Sequence, residues 1–141
     1  MYSSIVPVLA WVALVAICGF AWLKGGQPER LGVVIVLGGS AFALGVHLAA
    51  PAAIQPLLLL AGEGAMGLAF LMLALRYASP WLGAAMLFQA VQFSLHAYYL
   101  VGELKRDRTY ALVNNIDTFG VLVCILVGSV LTWRERARAA K

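Results

Sequence analysis

The segment QAVQFSLHAYYLVGE, residues 89–103, decides how the rest of the chain is interpreted. It lies inside a hydrophobic run long enough to cross a bilayer, yet polar side chains recur in it at steps of three and four. These are Gln89, Gln92, His96, Tyr99 and Glu103. A helix carries residues at this spacing on one face. Because polar groups in hydrocarbon are costly unless they meet partners or water, we expect the other helices to pack against this face.

The composition is that of a membrane protein. Of the 141 residues, 63% are hydrophobic and 11% are charged, with a mean hydropathy of +0.92. A soluble domain is about 45–50% apolar and about 25% charged. We therefore predict an all-α integral membrane protein, folded as one transmembrane bundle over residues 1–141. The only cysteines, Cys18 and Cys124, are far apart and lie in apolar runs, so they are predicted to be packing residues.

Basic residues separate the apolar runs instead of forming one cationic surface. This distribution is typical of loops that flank membrane spans and does not favour a nucleic-acid partner. The lipid bilayer is the predicted partner.

Five runs are long enough to span a bilayer, which takes about 20 apolar residues. They cover about residues 5–23, 31–50, 57–76, 81–101 and 110–133. The segments between them carry turn or charge signals: KGGQPER, PAAIQP, YASP and ELKRDR. The connection at 50–57 is short and uncharged, so two interpretations stay open there: a full reversal of the chain, or a kink or re-entrant turn.

Five spans place the two termini on opposite sides of the membrane. One side then carries three cations, Lys105, Arg106 and Arg108, and the other carries seven: Lys24, Arg30, Arg76, Arg134, Arg136, Arg138 and Lys141. Because cytoplasmic loops are enriched in Lys and Arg, the N-terminus is predicted outside and the C-terminus in the cytoplasm. The predicted location is a bacterial-type inner (plasma) membrane.

Nearly all of the strongly polar side chains inside the spans fall in the predicted outer half of the bundle, and they come from four different spans. The predicted site residues are His47, Glu63, Gln92, His96, Tyr99, Asn114 and Asp117. A charge at the centre of a membrane helix costs roughly 2.5–3.5 kcal/mol, so the two acids need partners. From depth alone we pair Asp117 with His96 and Glu63 with His47. The set predicts a polar cavity that opens outward.

Three functions fit such a cavity. The first is binding or translocation of a small ligand, ion or proton. The second is an enzyme acting on a lipid-like substrate by His/acid general acid–base chemistry. The third is an accessory subunit of a larger membrane complex, and homo-oligomerisation is also open.

Two cofactors fit the same residues. His47 and His96 are candidate axial ligands of a b-type haem. His47, His96, Glu63 and Asp117 are candidate ligands of a metal ion. Neither set has the close spacing of a specific metal motif, and GxxxxGK[ST], GxSxG and HExxH are all absent from the sequence.

Overall fold

The chain forms five helices in the computed structural model, which describes residues 2–105 and 107–140. They are α1 (Tyr2–Lys24), α2 (Gln27–Ala49), α3 (Gln55–Tyr77), α4 (Pro80–Val101) and α5 (Arg108–Ala139), with no strand in those ranges. Helices α2, α3 and α5 are long and apolar enough to cross a membrane. The all-helical class is thus confirmed, and the three long apolar helices indicate a membrane protein. Arg106 and Lys141, which entered the charge count, lie outside the described residues.

Helices α1 and α4 are less clearly spans by composition. The described apolar stretch of α1, Val8–Lys24, is shorter than the three long helices. Helix α4 has 22 residues, but Gln89, Gln92 and His96 interrupt its apolar character. These polar side chains need hydrogen-bond partners inside a membrane, so α4 depends on the neighbouring helices to supply them.

The helices extend beyond the predicted spans because a span counts only apolar residues. Helix α5 continues to Ala139, six residues past the predicted end at 133. The added residues are Arg, Glu and Ala, which favour helix but are too polar for hydrocarbon. Helix α2 begins at Gln27 instead of 31, with Pro28 in its first turn, where a missing N–H costs nothing.

Consecutive helices are antiparallel, and the connection at 50–57 is a full reversal. Gly39 of α2 lies against Met66 of α3, and Gly62 of α3 lies against Phe42 of α2, so later residues of one helix meet earlier residues of the other. The Gln55 side chain stabilises the reversal by donating a 2.9 Å hydrogen bond to the Ala50 carbonyl at the end of α2.

Helix α4 packs between α3 and α5, and α1 completes the bundle by contacting α2 and α5. We call the end of the bundle that holds the α2–α3 and α4–α5 connections the cavity end. We call the opposite end, which holds the α1–α2 connection, the Glu29 end. The polar face of α4 belongs to the cavity end, because Gln89, Gln92 and His96 lie in its second half.

Apolar side chains pack in the middle of the bundle and toward the Glu29 end. Six are fully buried or nearly so: Ala21, Phe70, Leu82, Ala85, Leu122 and Ile125. The Trp81 indole fits between two helices because glycines face it. A Cβ at Gly32 would lie 3.1 Å from this ring, and one at Gly128 would lie 2.5 Å from its Nε1. The α2–α4–α5 contact therefore depends on the absence of side chains at both positions.

Gly128→Ala is expected to destabilise the protein by about 1–3 kcal/mol, because the added methyl group overlaps the Trp81 ring in a filled core. The measurement is thermal unfolding in detergent. The matched control is Gly83→Ala in α4, where a Cβ would meet nothing within 4 Å and helix propensity favours Ala by up to about 1 kcal/mol. Equal effects of the two substitutions would contradict this packing.

Candidate functional site

A polar cavity of about 270 Å³ lies between α2, α3, α4 and α5 in the cavity end of the bundle. Its polar lining consists of Ser40, His47, Glu63, Gln89, Gln92, His96, Tyr110, Asn114 and Thr118. Its apolar lining consists of Val36, Gly39, Ala43, Leu59, Met66 and Val121. Five of the seven residues predicted for the site line this cavity: His47, Glu63, Gln92, His96 and Asn114. Tyr99 and Asp117 lie elsewhere.

The Glu63 carboxylate is held by amides from the neighbouring helix. The Gln89 amide donates to one carboxylate oxygen. The Gln92 amide donates to the other at 3.4 Å and also to the Asn114 side-chain oxygen at 3.0 Å. Because Asn114 belongs to α5, this network joins three helices around one acid. Gln89 is 1% exposed and Gln92 is 8% exposed, so the bonds are shielded from solvent and lipid.

Glycines on either side of Glu63 allow the neighbouring helices to come close. A Cβ at Gly62 would lie 2.8 Å from the Phe42 ring of α2, and one at Gly64 would lie 3.2 Å from the Phe93 ring of α4. Small residues allow such approach between membrane helices. Because both flanking glycines allow close packing against aromatic rings, the Glu63 side chain comes within hydrogen-bonding distance of the amides of α4.

The two histidines differ in their surroundings. His96 is 9% exposed, its Nδ1 lies 2.9 Å from the Gln92 carbonyl oxygen, and its ring meets the Tyr110 ring edge-on at 5.4 Å. A carbonyl only accepts, so this bond requires the proton on Nδ1. His47 lines the cavity from α2 but is exposed. His96 thus has a fixed orientation set by its own helix.

The hydrogen bonds that the structure displays around Glu63 come from amides and not from His47, the partner predicted from depth. Glu63 shares the cavity with His47, but its carboxylate accepts from Gln89 and Gln92. Asp117 is 4% exposed and outside the cavity lining, and its buried Oδ2 has no hydrogen-bond partner among the described residues. Depth places residues on one level but does not decide which side chains point toward each other.

Tyr99 lies in the last turn of α4, just before the connection to α5. Its hydroxyl donates a 2.8 Å hydrogen bond to Asp107, which caps α5 by accepting the Tyr110 N–H at 2.9 Å. Tyr99 also lines a second pocket of about 290 Å³, which shares His96 and Tyr110 with the polar cavity. Tyr99 therefore belongs to the approach to the cavity, beside the exposed loop.

No group of three or more His, Cys, Asp or Glu in the described part of the chain is placed to hold a metal ion. The candidate ligands His47, His96 and Glu63 line one cavity and Asp117 lies outside it, but no three of the four are close enough together to hold a metal ion. The haem alternative also lacks geometric support. At about 270 Å³ the cavity is at the lower limit of small-molecule sites, which span about 300–1,000 Å³.

Some residues of the site were missing from the predicted set. Gln89 stands on the same three-and-four pattern as Gln92 and His96, which is the signal that identifies it. Thr118 follows Asn114 by four residues and therefore lies on the same side of α5, where its hydroxyl bonds the Asn114 carbonyl at 2.9 Å. Ser40 has no such signal, because small polar residues in spans commonly bond their own helix.

Glu29 is a second buried acid, at the opposite end of the bundle. It is 2% exposed, accepts the Gly26 N–H at 2.8 Å and accepts the Thr132 hydroxyl of α5 at 3.0 Å. The sequence indicates the first bond, because a Glu three residues after a helix N-cap often returns to the backbone there. Only the tertiary structure displays the second bond, which ties α2 to α5.

No protein family model matches the chain, and no curated protein or solved structure shows significant similarity to it. The function is therefore argued from the site itself.

Gln92→Ala is expected to destabilise the bundle by about 1–2 kcal/mol, because it leaves Glu63 and Asn114 with one bond fewer in a partly buried site. Thermal unfolding in detergent measures the effect. The control on the same helix is Ser94→Ala, which removes only an exposed bond to the Ala90 carbonyl and should change little. A Gln92→Ala protein as stable as this control would show that the network contributes nothing.

Asp107 should make stability depend on pH. The Tyr110 N–H, and then the Tyr99 hydroxyl, hold the pKa of Asp107 below its usual range. A carboxyl with a lowered pKa stabilises the fold above its unfolded pKa of about 3.9 and loses that contribution as pH falls through the folded pKa. The melting temperature of the wild type should exceed that of Asp107→Ala at pH 7, and the gap should narrow below about pH 4.

Asp107→Asn is the matched control, because it keeps an N-cap acceptor but does not titrate. Its advantage over Asp107→Ala should not change over the same pH range. A wild-type advantage that stays constant down to pH 2 would contradict the role of the ionised carboxylate.

Proposed function

We propose that this protein is an integral membrane protein that binds a small ligand carrying a cationic or hydrogen-bond-donating group in the polar cavity. The observation that supports this most is the environment of Glu63. Its carboxylate lies at the cavity wall among amides, hydroxyls and imidazoles. Among the described residues that line the cavity there is no Lys or Arg to neutralise it.

The amides orient Glu63 without using up its capacity to bind. An ionised carboxylate has about four acceptor positions, and one amide donates to each oxygen. The remaining positions are open to a ligand in the cavity. In a medium of low dielectric constant, attraction between this carboxylate and a cation is much stronger than in water. Ser40 and His47 add polar groups on the facing wall of α2.

The same cavity would serve an ion or a proton in a translocation cycle, and the core limits how. Phe70, Leu82 and Ala85 are fully buried between the cavity and the Glu29 end. Passage to that end therefore requires a rearrangement of these side chains. Binding is the step that the geometry supports directly, and transport is an extension of it.

We further propose that the cavity end faces the outside of a bacterial-type plasma membrane. The Glu29 end carries most of the cations, and three of them lie over aromatic rings at 5.5–5.8 Å: Lys24 on Trp133, Arg30 on Trp22 and Arg76 on Tyr77. Aromatic and basic residues are typical of the membrane–water interface, and the basic side is usually cytoplasmic. This orientation makes the cavity accessible from outside.

Glu63→Gln tests the binding proposal. Purified protein in detergent at pH 7.5 is titrated with ethylammonium, guanidinium and sodium as chlorides, and thermal unfolding is followed. At least one of these probes should stabilise the wild type, by about 2.7 kcal/mol at 100 times its Kd. Glu63→Gln should lose at least tenfold in affinity for that probe, because the amide is neutral and has one acceptor oxygen instead of two.

The matched control is Glu135→Gln, which removes an exposed acid at the other end of the bundle and should bind as the wild type does. Equal affinity in Glu63→Gln and the wild type would refute the assignment of Glu63. A wild type that none of the three probes stabilises would refute the cationic ligand class.

A further inference from the structure

An apolar groove of about 300 Å³ adjoins the polar cavity on the side of α1. Its walls come from three helices: Ala10, Trp11 and Leu14 of α1, Leu44 of α2 and Leu122 of α5. Four more residues line both the groove and the polar cavity: Ser40, Ala43, His47 and Thr118. The polar cavity and the apolar groove therefore meet at the gap between α2 and α5.

The gap exists because α2 and α5 are held together at one end only. Near the Glu29 end, Glu29 accepts the Thr132 hydroxyl, and Gly32 lies against Ile125. Of all the contacting helix pairs in the described ranges, α2 and α5 share the smallest contact. Toward the cavity end, two of the three residues of α2 that line both spaces, Ser40 and Ala43, are small, and the third is His47. Short side chains leave an opening where longer ones would close it.

We propose that the ligand is a single-chain cationic amphiphile. Its charged head occupies the polar cavity beside Glu63, and its alkyl chain passes between α2 and α5 into the apolar groove. The assignment of the head rests on the proposed function above, whereas the assignment of the chain rests on the groove and the gap.

The groove has the properties that an alkyl chain requires. Leu14 and Leu122 form a buried floor, at 6% and 1% exposure, while Trp11 and Leu44 are 46% and 47% exposed at its rim. The rim thus faces the lipid, and a ligand reaches the cavity sideways from the bilayer. Apolar area removed from water contributes about 0.8 kcal/mol per methylene group.

The chemistry also disfavours anionic and two-chain lipids. The phosphate of an anionic phospholipid would meet the Glu63 carboxylate, and like charges at close range repel strongly in a low dielectric. A groove of about 300 Å³ with a gap lined by Ser40 and Ala43 suits one chain better than two. In a single-chain amine, the protonated amine suits the polar cavity and the alkyl chain suits the apolar groove.

The experiment compares ethylammonium, hexylammonium and decylammonium binding to the protein in one detergent by calorimetry. Affinity for the wild type should rise with chain length, by up to about fourfold per methylene group, until the groove is filled. Ala10→Trp fills the groove from α1. It should leave the affinity for ethylammonium unchanged and should lower the affinity for decylammonium at least tenfold relative to the wild type. Because all variants share the same micelles, partition of the probe into detergent cancels in the comparison.

The matched control is Ala16→Trp, which adds the same side chain at an exposed position of α1 outside the groove and should behave as the wild type. If Ala10→Trp does not fold, Leu44→Trp obstructs the same groove from α2. Decyl sulfate, with the same chain and an anionic head, should not bind to the cavity and should not compete with ethylammonium.

The outcomes separate this inference from the function on which it rests. One outcome would overturn the groove assignment alone. In it, Glu63→Gln binds ethylammonium more weakly than the wild type, but affinity rises with chain length equally in Ala10→Trp and Ala16→Trp. The assignment of Glu63 as the site for the charged head would then remain. If Glu63→Gln binds ethylammonium as the wild type does, the proposed function itself fails. Decyl sulfate that competes with ethylammonium would overturn the cationic head.

Discussion

One half-buried carboxylate, that of Glu63, constrains the arrangement of this bundle. Glu63 lies in the middle of a helix that is otherwise apolar enough to cross a membrane, and an acid there is costly unless donors meet it. Gln89 and Gln92 are those donors. Their position fixes which face of α4 turns to α3, and the bond from Gln92 to Asn114 fixes α5 in turn.

The amount of polarity exceeds what helix association requires. Hydrogen bonds between membrane helices contribute only about 0.6 kcal/mol on average, and apolar packing holds many bundles together without them. Here the polar groups also line an open space. Helix pairing alone would favour a filled interior, and the open space beside the acid is the space that the proposed ligand would occupy.

The two ends of the bundle use buried acids in opposite ways. Glu29 is enclosed by the start of its own helix and by Thr132, so it closes α2 against α5. Glu63 is enclosed on one side only, and α2 and α5 separate beside it. In the proposed function, the ligand exchanges with the membrane at the open end, because the other end is held by the hydrogen bond from Thr132 to Glu29.

The sequence by itself determined the class, the five helices and the level at which polar residues gather, because hydropathy and helical spacing are local properties. It also identified five of the residues that line the cavity. It did not determine the partners: Glu63 meets amides instead of His47, Asp117 lies outside the cavity, and Glu29 reaches Thr132 across the bundle. Those contacts depend on how far each helix rotates about its axis, which packing against glycines and aromatic rings decides only when all five helices are together.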